Sequence, residues 1–580
     1  MSREEDFRIR PGRIRSTRAQ QARPFIAQAL AAAQKAGGTV SRRGSIGSGS
    51  RSRFGRGQRA AVQANRLITS RTRGGVIKAR VVRNGWRSGA LPAHLGYLCR
   101  EGVTRDGEKA RMFGPESDHE DHEDFAERCK DDRHHFRFIV SPDDAVDMTD
   151  LRGFTRDLVR RMEQDLSTGL DWVAVDHWNT GHPHVHLLVR GVREDGENLV
   201  IARDYIKEGM RDRARELVTL ELGPRSEIDI RASLTRQLDA ERWTELDRQL
   251  ARDAARSGVI DLAPDPDRQP DAYASYKVTR LRKLETLGLA DQIGPGQWVL
   301  TENAQTVLRE MGLRGDIIKR IHRGLTERGI ERGSASYVLA GESLDDPVIG
   351  RLVERGLDDE LKGSAYAVVD GVDGRTHHIR LPDLDAAGDN MPGSIVELRK
   401  FDDANGRRRV VLAVRSDLDI RAQVTAMGAT WLDRQALARN PVALGEDGFG
   451  VEVRQAMKKR AEHLINEGLA QRQGGRVIFA RNLLNRLRDR EVQALGEKLA
   501  AETGLPFERG AASGEHVTGT YRRRFLLASG RFAMIDDGLS FRLVPWTPSL
   551  ERHRGRHVSG AARGDGGVDW SFGRRRGLGL

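Results

Sequence analysis

The sequence predicts an α+β protein built around an antiparallel sheet that carries a histidine-rich hairpin. Strand-forming residues occupy 75–82 and 135–140, and two further runs at 171–175 and 185–189 flank a turn. A helix-type periodicity lies between the second and third of these runs. The order strand, helix, strand, hairpin strand is typical of a sheet covered by one helical layer.

Length, cysteine content and hydropathy limit the class of protein. At 580 residues, the chain is long enough for roughly four domains. It contains only Cys99 and Cys129, which excludes a disulfide framework and indicates a reducing compartment. The sequence has no apolar run of the roughly 18 residues that span a membrane and no apolar signal segment. We therefore expect a soluble, cytoplasmic protein.

The positive charge is concentrated at the N-terminus. Residues 1–80 contain 19 Lys or Arg and 3 Asp or Glu, a net charge of +16, whereas the whole chain carries +13, so the other 500 residues sum to −3. The Ser-, Gly- and Arg-rich stretch 41–59 has too few apolar residues to pack, and we expect a disordered basic arm over 1–74. Such an arm typically neutralises phosphates of nucleic acids, and a solvated tail is the alternative.

The first strand of the sheet is followed by a predicted helix at 91–100. Leu91, Leu95 and Leu98 recur in it at helical spacing, and Gly102 is expected to end it. Tyr97 is not placed where a core-filling tyrosine would lie. The flanking polar side of the helix carries His94, Tyr97, Arg100 and Glu101.

The acidic segment 116–124 mixes His119 and His122 with carboxylates, as a metal cluster would. It lacks turn chemistry between its residues and leads into the helix-like run 125–129. A solvated helix start explains it better, since acidic side chains stabilise a helix N-terminus.

A longer helix is expected to begin at Ser141-Pro142-Asp143-Asp144. This sequence places an N-cap serine before an N1 proline and an acidic residue three positions on. One face of the helix is apolar and is expected to pack on the sheet. Its apolar positions are Leu151, Phe154, Leu158, Met162 and Leu166.

Four histidines lie within the hairpin sequence 176–186. His184 and His186 are expected to point to one face of their strand, because side chains alternate along it. His177 ends the partner strand and is expected to lie opposite them, while His182 is a further polar contact. Three neutral imidazoles that leave open positions are typical of a catalytic rather than a structural metal site. Surface imidazoles on a polar hairpin and a site for a structural metal are the alternatives.

The chain after the hairpin is predicted to form smaller modules. Helices at 204–222 and 233–256 precede a proline-rich linker at 263–270, where we place a domain boundary. A helix closed by Gly288 and a hairpin around Gly294-Pro295-Gly296 outline a winged-helix-like module. Contact with duplex DNA and a purely structural role are both open for this module.

The last third of the chain alternates between strand-like and helical segments. Four strand-like runs between 364 and 415 predict a small β-barrel or curled sheet, and 430–505 is predicted to be helical. His377 and His378 are neighbours in one such strand and face opposite ways, so they form a poor chelate. A strand pair at 524–534 and 539–544 precedes a Gly/Arg tail, and no fixed-period repeat is found.

These patterns divide the chain into seven segments. They are a basic arm (1–74), the sheet domain (75–215), a helical segment with a linker (216–270), a winged-helix-like module (271–335), a small β-rich module (336–425), a helical module (426–510), and a β hairpin with a basic tail (511–580).

A metal on the three histidines could activate a water molecule, or polarise a phosphate while another nucleophile attacks. Of the seven tyrosines, only Tyr97 and Tyr205 belong to the sheet domain or its edge. Tyr97 lies beside His94 and Arg100, which could stabilise a phenolate or a phosphate. Tyr205, followed closely by Lys207, is the second candidate.

The motif His177-x-Asn179-Thr180-x-x-Pro183-His184-Val185-His186, preceded by a helix that carries Tyr97, resembles the relaxases, the mobilisation nucleases of conjugative plasmids and integrative elements. These enzymes form part of the superfamily named for its histidine-hydrophobe-histidine strand. The resemblance covers about residues 75–215, and the C-terminal part resembles the extension of one bacterial relaxase branch. Relaxases place the tyrosine before the histidines, whereas rolling-circle replication initiators usually place it after them.

The resemblance implies strand-specific transesterification at a transfer origin, with Tyr97 forming a 5′-phosphotyrosyl adduct. It implies Mg²⁺ or Mn²⁺ on His177, His184 and His186. The DNA contacts expected with it are Arg100, Arg137 and Arg190. It also implies single-stranded DNA as the substrate, with accessory relaxosome proteins and a type IV secretion coupling protein as partners in a bacterial cytoplasm.

One position departs from the family pattern, because relaxases often have Asp where this chain has Asn179. Asp176 is the expected substitute that orients a histidine or accepts a proton. Two alternatives remain: a replication initiator that uses Tyr205, and a non-enzymatic DNA-binding regulator.

Overall fold

The computed structural model describes residues 39–40, 46–47, 71–84, 90–100, 102–178, 182–255, 257–263, 273–339, 348–402, 406, 408–564 and 566–572. They belong to two compact units, 1–312 and 313–580. Within the predicted arm, Thr39–Val40 and Ile46–Gly47 pair as short antiparallel strands. The described residues do not include the rest of the arm before residue 71, most of the predicted linker or the final Gly/Arg tail. No helix among the described residues is long and apolar enough to cross a membrane.

The sheet domain is an antiparallel α+β domain, as predicted. Its four strands lie in the order β1-β2-β4-β3, and all neighbouring pairs are antiparallel. The elements are β1 Gly75–Arg83, α1 Ala90–Leu98, α2 His122–Arg128, β2 His134–Pro142, α3 Leu151–Leu166, β3 Trp172–His177, β4 His184–Arg190 and α4 Met210–Leu222.

The two faces of this sheet are covered by different helices. One face packs against α3 and α4, which contribute Phe154, Leu158 and Val218 to a single apolar cluster. The other face packs against α1 and α2 through a second cluster that includes Leu95 and Phe125. The histidines of β4 share this second face, because they alternate with residues of the first cluster.

The predicted N-terminus of the long helix at Ser141 is wrong. The strand β2 continues to Pro142, and the helix begins after Asp150, whose carboxylate accepts a hydrogen bond from Gly153 N at 2.7 Å. Asp144, the acidic residue three positions after Ser141, instead binds Arg73, and Asp143 accepts from Gly74 N at 3.0 Å. Partners distant in sequence therefore occupy the carboxylate that was expected to complete the helix cap.

The acidic segment before α2 is a helix start, as predicted. Asp121 is the N-cap, and its side chain accepts a hydrogen bond from Glu123 N at 2.8 Å. Glu123 and Asp124 occupy the first turn. These carboxylates therefore stabilise the positive end of the helix dipole.

The rest of the chain contains two copies of one element order, in which helices and a small hairpin precede a six-stranded sheet. The first copy comprises α5 Glu227–Leu238, α6 Glu245–Ala254, β5 Ile260–Asp261, α7 Ala274–Thr286, β6 Ala290–Gly294, β7 Gln297–Leu300, α8 Ala304–Thr326, β8 Tyr337–Val338, β9 Ile349–Asp359, β10 Ser364–Gly371, β11 Thr376–Leu381, α9 Leu384–Ala387, β12 Ile395–Asp402 and β13 Arg408–Ser416. The second comprises α10 Ala422–Thr425, α11 Trp431–Ala436, α12 Gly448–Asn466, β14 Ala470–Gln473, β15 Arg476–Phe479, α13 Leu483–Thr503, β16 Phe507–Glu508, β17 His516–Leu527, β18 Gly530–Asp536, β19 Phe541–Pro545, α14 Pro548–Glu551, β20 His557–Ala562 and β21 Val568–Ser571.

The two six-stranded sheets have the same topology. The first has the order β8-β11-β10-β9-β12-β13 and the second the order β16-β19-β18-β17-β20-β21. In each sheet the short outer strand, β8 or β16, pairs in parallel with its neighbour, and the other pairs are antiparallel. The C-terminal part therefore contains an internal duplication.

A buried ion pair recurs at the same place in both copies. In the first copy, Arg280 Nε donates to Asp247 at 2.8 Å, both side chains are fully buried, and Thr244 caps the helix that carries the aspartate. In the second, Arg460 Nε donates to Asp433 at 2.9 Å. The sequences 244–249 and 430–435 share the pattern Thr-x-Leu-Asp-Arg-Gln.

Two predictions for the second copy need correction. The segment 430–505 is not continuously helical, because the hairpin β14–β15 interrupts it at Gly474, whose φ is +60°. The predicted strand 524–534 is divided into β17 and β18. The backbone N–H groups of Ala528 and Ser529 each donate to the Glu491 carboxylate at 2.9 Å, so a distant helix holds this turn.

We predict that Asp247→Asn locally destabilises the first copy by about 3–5 kcal/mol, because it leaves the Arg280 charge buried without its partner. Hydrogen exchange measured by mass spectrometry should become faster over 227–254 and remain unchanged over 430–503. Asp433→Asn should give the reciprocal result. Glu245→Gln, which removes an exposed partner of Arg248, serves as the control and should have little effect. Unchanged exchange in both aspartate variants would contradict a structural role for these pairs.

Candidate active site

Three histidines of the hairpin lie on one face of the sheet, at the end where β3 and β4 are joined. His177 pairs directly with His184 across the two strands, and His186 pairs with Val175. Side chains alternate along a strand and directly opposed residues share a face. The structure therefore brings the three predicted metal ligands together.

The three imidazole rings are close together and buried. The ring centroids are 4.5 Å apart for His177 and His186, 5.0 Å for His184 and His186, and 5.5 Å for His177 and His184. One ring nitrogen from each lies within 4.8 Å of those of the other two. The residues are 1%, 3% and 8% exposed for His177, His186 and His184. The cluster is compact enough for one ion to contact all three rings.

Hydrogen bonds to backbone carbonyls fix the tautomers of two of these rings. His177 Nε2 donates to Leu98 O at 2.8 Å, and His184 Nδ1 donates to His182 O at 3.0 Å. Because a carbonyl can only accept, the lone pair of neutral His177 is on Nδ1 and that of neutral His184 is on Nε2. His186 Nε2 lies 3.2 Å from His184 Nε2. This donor set fits a divalent metal ion. The hydrogen that lies between His184 Nε2 and His186 Nε2 would have to leave that position before an ion could bind both nitrogens.

The helix α1, which carries Tyr97, is hydrogen-bonded to the histidine cluster. Leu98, whose carbonyl binds His177, is adjacent in sequence to Tyr97, and Leu95 and Leu98 are fully buried against the sheet. Tyr97 itself is half-buried, with the Arg100 guanidinium 4.3 Å from its ring centroid. His94 is buried rather than on an open polar surface. A backbone carbonyl of the helix that carries Tyr97 is therefore hydrogen-bonded to one of the three imidazoles.

Asp176 lies on the other side of β3 from the histidines. Its carboxylate accepts from Arg152 Nε at 2.9 Å and from Trp178 Nε1 at 2.7 Å. Its hydrogen bonds within the described residues go to these two side chains and not to an imidazole. Asn179, the departure from the family pattern, lies outside the described residues.

Tyr205, the second candidate nucleophile, packs against the cluster on the opposite face of the sheet. It lies in a π-helical turn, Tyr205–Gly209, immediately before α4. Its hydroxyl donates to Asp165 Oδ2 at 3.1 Å. The sheet therefore separates Tyr205 from the histidine cluster.

The three arginines predicted to contact DNA have different surroundings. Arg190 is bound by both carboxylate oxygens of Asp132, at 2.7 and 3.0 Å. Arg100 Nη1 donates to Tyr97 O at 3.3 Å. Arg137 is buried and donates from Nε to His135 Nε2 at 3.0 Å. Only Arg190 of the three has a carboxylate partner among the described residues.

Asn84 and His135 are polar neighbours of Arg137 that sequence analysis did not single out. Burial, reinforced by the charge of Arg137, lowers the pKa of His135 to about 3, and burial together with the charge of Arg80 lowers the pKa of Arg137 to about 10. The alternation His135-x-Arg137 within a strand was the available signal, because it places both side chains on one face.

Two families match the sequence. Residues 277–407 and 398–579, together more than half of the chain, match the family described as Protein of unknown function (DUF3363). Residues 115–219 match the family described as Relaxase, MobA/VirD2-like, nuclease domain. This second match includes the three histidines, whereas Tyr97 precedes it, and it supports a mobilisation nuclease as the resemblance predicted. No curated protein and no solved structure shows significant similarity to the chain.

We predict that the purified protein binds Mn²⁺ and that His184→Ala and His186→Ala each weaken the binding by at least about tenfold, since each removes one ligand of a rigid site. Isothermal titration calorimetry measures the affinity. His182→Ala is the matched control, because its contact with His184 is made by the backbone carbonyl. Equal affinities for all four proteins would contradict a metal site at the cluster.

Proposed function

The chain belongs to the family described as DUF3363, and we propose that it nicks one DNA strand at the transfer origin of a plasmid or other mobile element by tyrosine transesterification. The observation that carries the proposal is the hydrogen bond from His177 to Leu98, which joins the histidine cluster to the helix of Tyr97. The match of residues 115–219 to a relaxase nuclease domain supports the same chemistry.

Tyr97 is the proposed nucleophile. Its hydroxyl oxygen loses a proton and attacks a phosphodiester phosphorus, forming a new O–P bond while the bond to the 3′ oxygen breaks. The departing 3′ oxygen takes up a proton, and the DNA 5′ end remains attached to the tyrosine. The number of phosphoester bonds is unchanged, so the strand can be religated without ATP. Arg100, 4.3 Å from the ring, favours the negative charge that develops on the phenolate.

His177, His184 and His186 are the proposed metal ligands. A divalent ion bound there would neutralise charge on the non-bridging oxygens of the scissile phosphate. Mg²⁺ prefers oxygen ligands, so three imidazole nitrogens favour Mn²⁺ over Mg²⁺. The Leu98 carbonyl orients His177 and the His182 carbonyl orients His184. In many metal sites a carboxylate makes this hydrogen bond to the ligating histidine, whereas here backbone carbonyls make it.

Asp176 acts in this proposal as a positioning residue. Its carboxylate holds Arg152 and Trp178 and thereby fixes the end of β3, from which His177 projects. It does not serve as the proton acceptor for Tyr97, because its contacts lie on the other face of the strand.

Single-stranded DNA is the proposed substrate, and basic residues are the proposed contacts to its backbone. Arg100, Arg137 and Arg190 belong to the sheet domain, while the arm adds affinity without sequence specificity. Accessory relaxosome proteins and a type IV secretion coupling protein are proposed as partners on the relaxase resemblance alone. The helix and hairpin formed by α7, β6 and β7 are a second proposed contact, with duplex DNA.

We predict that the protein forms a covalent adduct with a labelled single strand carrying the nick site, and that Tyr97→Phe abolishes it, because phenylalanine lacks the attacking oxygen. Denaturing gel electrophoresis detects the adduct, with and without Mn²⁺. Tyr205→Phe is the control and should retain the adduct. Loss only in Tyr205→Phe would favour a rolling-circle initiator, and tight duplex binding without any adduct would favour a non-enzymatic regulator.

A further inference from the structure

A strip of positive charge crosses β1 and β2 on the histidine face of the sheet. Arg80 pairs directly with Arg137 across these strands, and Lys78 pairs with Ile139. Ile139 in turn pairs with His186 on β4. Directly opposed residues share a face, so Lys78, Arg80 and Arg137 lie on the same face as the histidines. The two arginines are one side-chain position along the strands from the row that contains His186, a separation of roughly 7 Å.

The side chain of Arg137 is held in place by a relay of fixed hydrogen bonds. Asn84 Nδ2 donates to the carbonyls of Cys129 and Asp132, at 2.9 and 3.0 Å, so its Oδ1 must be an acceptor. His135 Nδ1 therefore donates to Asn84 Oδ1 at 2.7 Å, and the other nitrogen of neutral His135 carries the lone pair. That nitrogen accepts from Arg137 Nε at 3.0 Å. These hydrogen bonds hold the Arg137 guanidinium through a neutral imidazole, which does not neutralise its positive charge.

Arg137 differs from the other three fully buried arginines among the described residues, Arg73, Arg280 and Arg460, each of which has a carboxylate partner. It is 7% exposed, and no carboxylate among the described residues lies within ion-pair distance of it. By contrast, Arg190 on the same face is paired with Asp132, and Arg152 is paired with Asp176. A buried cation without a counter-charge is costly, and a second arginine placed directly opposite adds repulsion. Such an arrangement is expected where an anion from outside the fold supplies the missing charge.

The terminal nitrogens of Arg137 are the donors available to such an anion. Its single hydrogen bond within the described residues uses Nε, so both Nη groups remain to bind oxygen atoms. Arg80 and Lys78 are exposed, and neither forms an ion pair within the described part of the chain. A planar guanidinium that presents two N–H groups matches the geometry of phosphate oxygens.

We propose that Arg137, with Arg80 opposite it, forms a binding site for a backbone phosphate of the DNA strand, next to the phosphate that lies at the histidine cluster. The assignment of the anion to DNA rests on the proposed function. The site positions the strand relative to Tyr97 and takes no part in bond breaking. It reads the phosphate and not the base, so it acts on any sequence.

The test measures binding of a fluorescent oligothymidylate of about 20 nucleotides, long enough to cover one single-strand site, by anisotropy at several salt concentrations. All variants carry Tyr97→Phe, so no adduct can form. Arg137→Gln should weaken binding about tenfold, the effect of losing one charge-assisted contact. The slope of log affinity against log salt should become shallower by about 0.7, the value for one phosphate on a single strand.

Arg160→Gln is the matched control, because Arg160 is 65% exposed on α3, which packs on the opposite face of the sheet. It should change affinity less than about twofold, since a remote surface charge contributes little. Arg80→Gln, at an exposed position, should lose affinity in the same direction as Arg137→Gln. Equal affinities and slopes for Arg137→Gln, Arg80→Gln and Arg160→Gln would overturn the proposal.

Thermal unfolding separates phosphate binding from a structural role of Arg137. Removing a buried, unneutralised charge should leave the melting temperature of Arg137→Gln equal to or above that of the parent protein. A lower melting temperature or failure to fold would show that the fold needs this guanidinium and would overturn the proposal. Absence of an adduct in the protein with an intact Tyr97 would contradict the proposed nicking reaction and leave these binding results unaffected.

Discussion

The hydrogen bond between His177 and the carbonyl of Leu98 is the interaction on which the candidate site depends. It is 2.8 Å long and joins residues 79 positions apart in sequence. One end fixes the tautomer of a proposed metal ligand, and the other fixes the last turn of the helix that carries Tyr97. A nucleophile and a metal site must keep a constant separation for an in-line attack, and a buried bond between rigid elements provides that constraint. The apolar contacts of Leu95 and Leu98 exclude water from this attachment.

The two faces of the sheet carry different kinds of side chain because side chains alternate along each strand. Phe138, Leu187 and Val189 form the core with α3 and α4 on one face. The histidines and Arg137 project from the same strands to the other face, where α1 and α2 cover only part of the surface. The apolar face supplies most of the burial that stabilises the domain. That burial offsets the free-energy cost of the polar groups buried on the opposite face. Tyr205 packs on the apolar side, which is why its position before α4 does not bring it to the histidines.

Sequence periodicity was sufficient for the packed faces of the sheet domain, because the signals for those faces are local. The alternation in 184–190 gave the facing histidines, and the spacing of Leu151, Phe154 and Leu158 gave the packed face of α3. Non-local partners caused the errors. Ser141 is not a helix cap, because Arg73 binds Asp144 and Gly74 binds Asp143. The Glu491 carboxylate holds the turn at Ala528 that divides a predicted strand. The role of Asn84 in fixing His135 depends on two distant carbonyls and is invisible in the sequence.

The internal duplication was missed for a related reason. The Thr-x-Leu-Asp-Arg-Gln sequences begin at 244 and 430, whereas the glycines that end the following helices are at 288 and 468. The spacing between copies therefore changes by a few residues and defeats a search for a fixed period. What both copies retain is the buried pair, Arg280 with Asp247 and Arg460 with Asp433, because losing either partner leaves an unpaired charge in a core. The family match across 277–579 covers the six-stranded sheets of both copies.

Tyr97, and no other side chain, is proposed to receive the DNA 5′ end. The most direct measurement is peptide mapping by tandem mass spectrometry after reaction with a nick-site strand and digestion of the protein and the DNA. We expect a nucleotide phosphate attached to the peptide that contains Tyr97, with fragment ions that assign it to the tyrosine side chain. Attachment to the peptide that contains Tyr205, or to a serine or histidine, would contradict Tyr97 as the nucleophile.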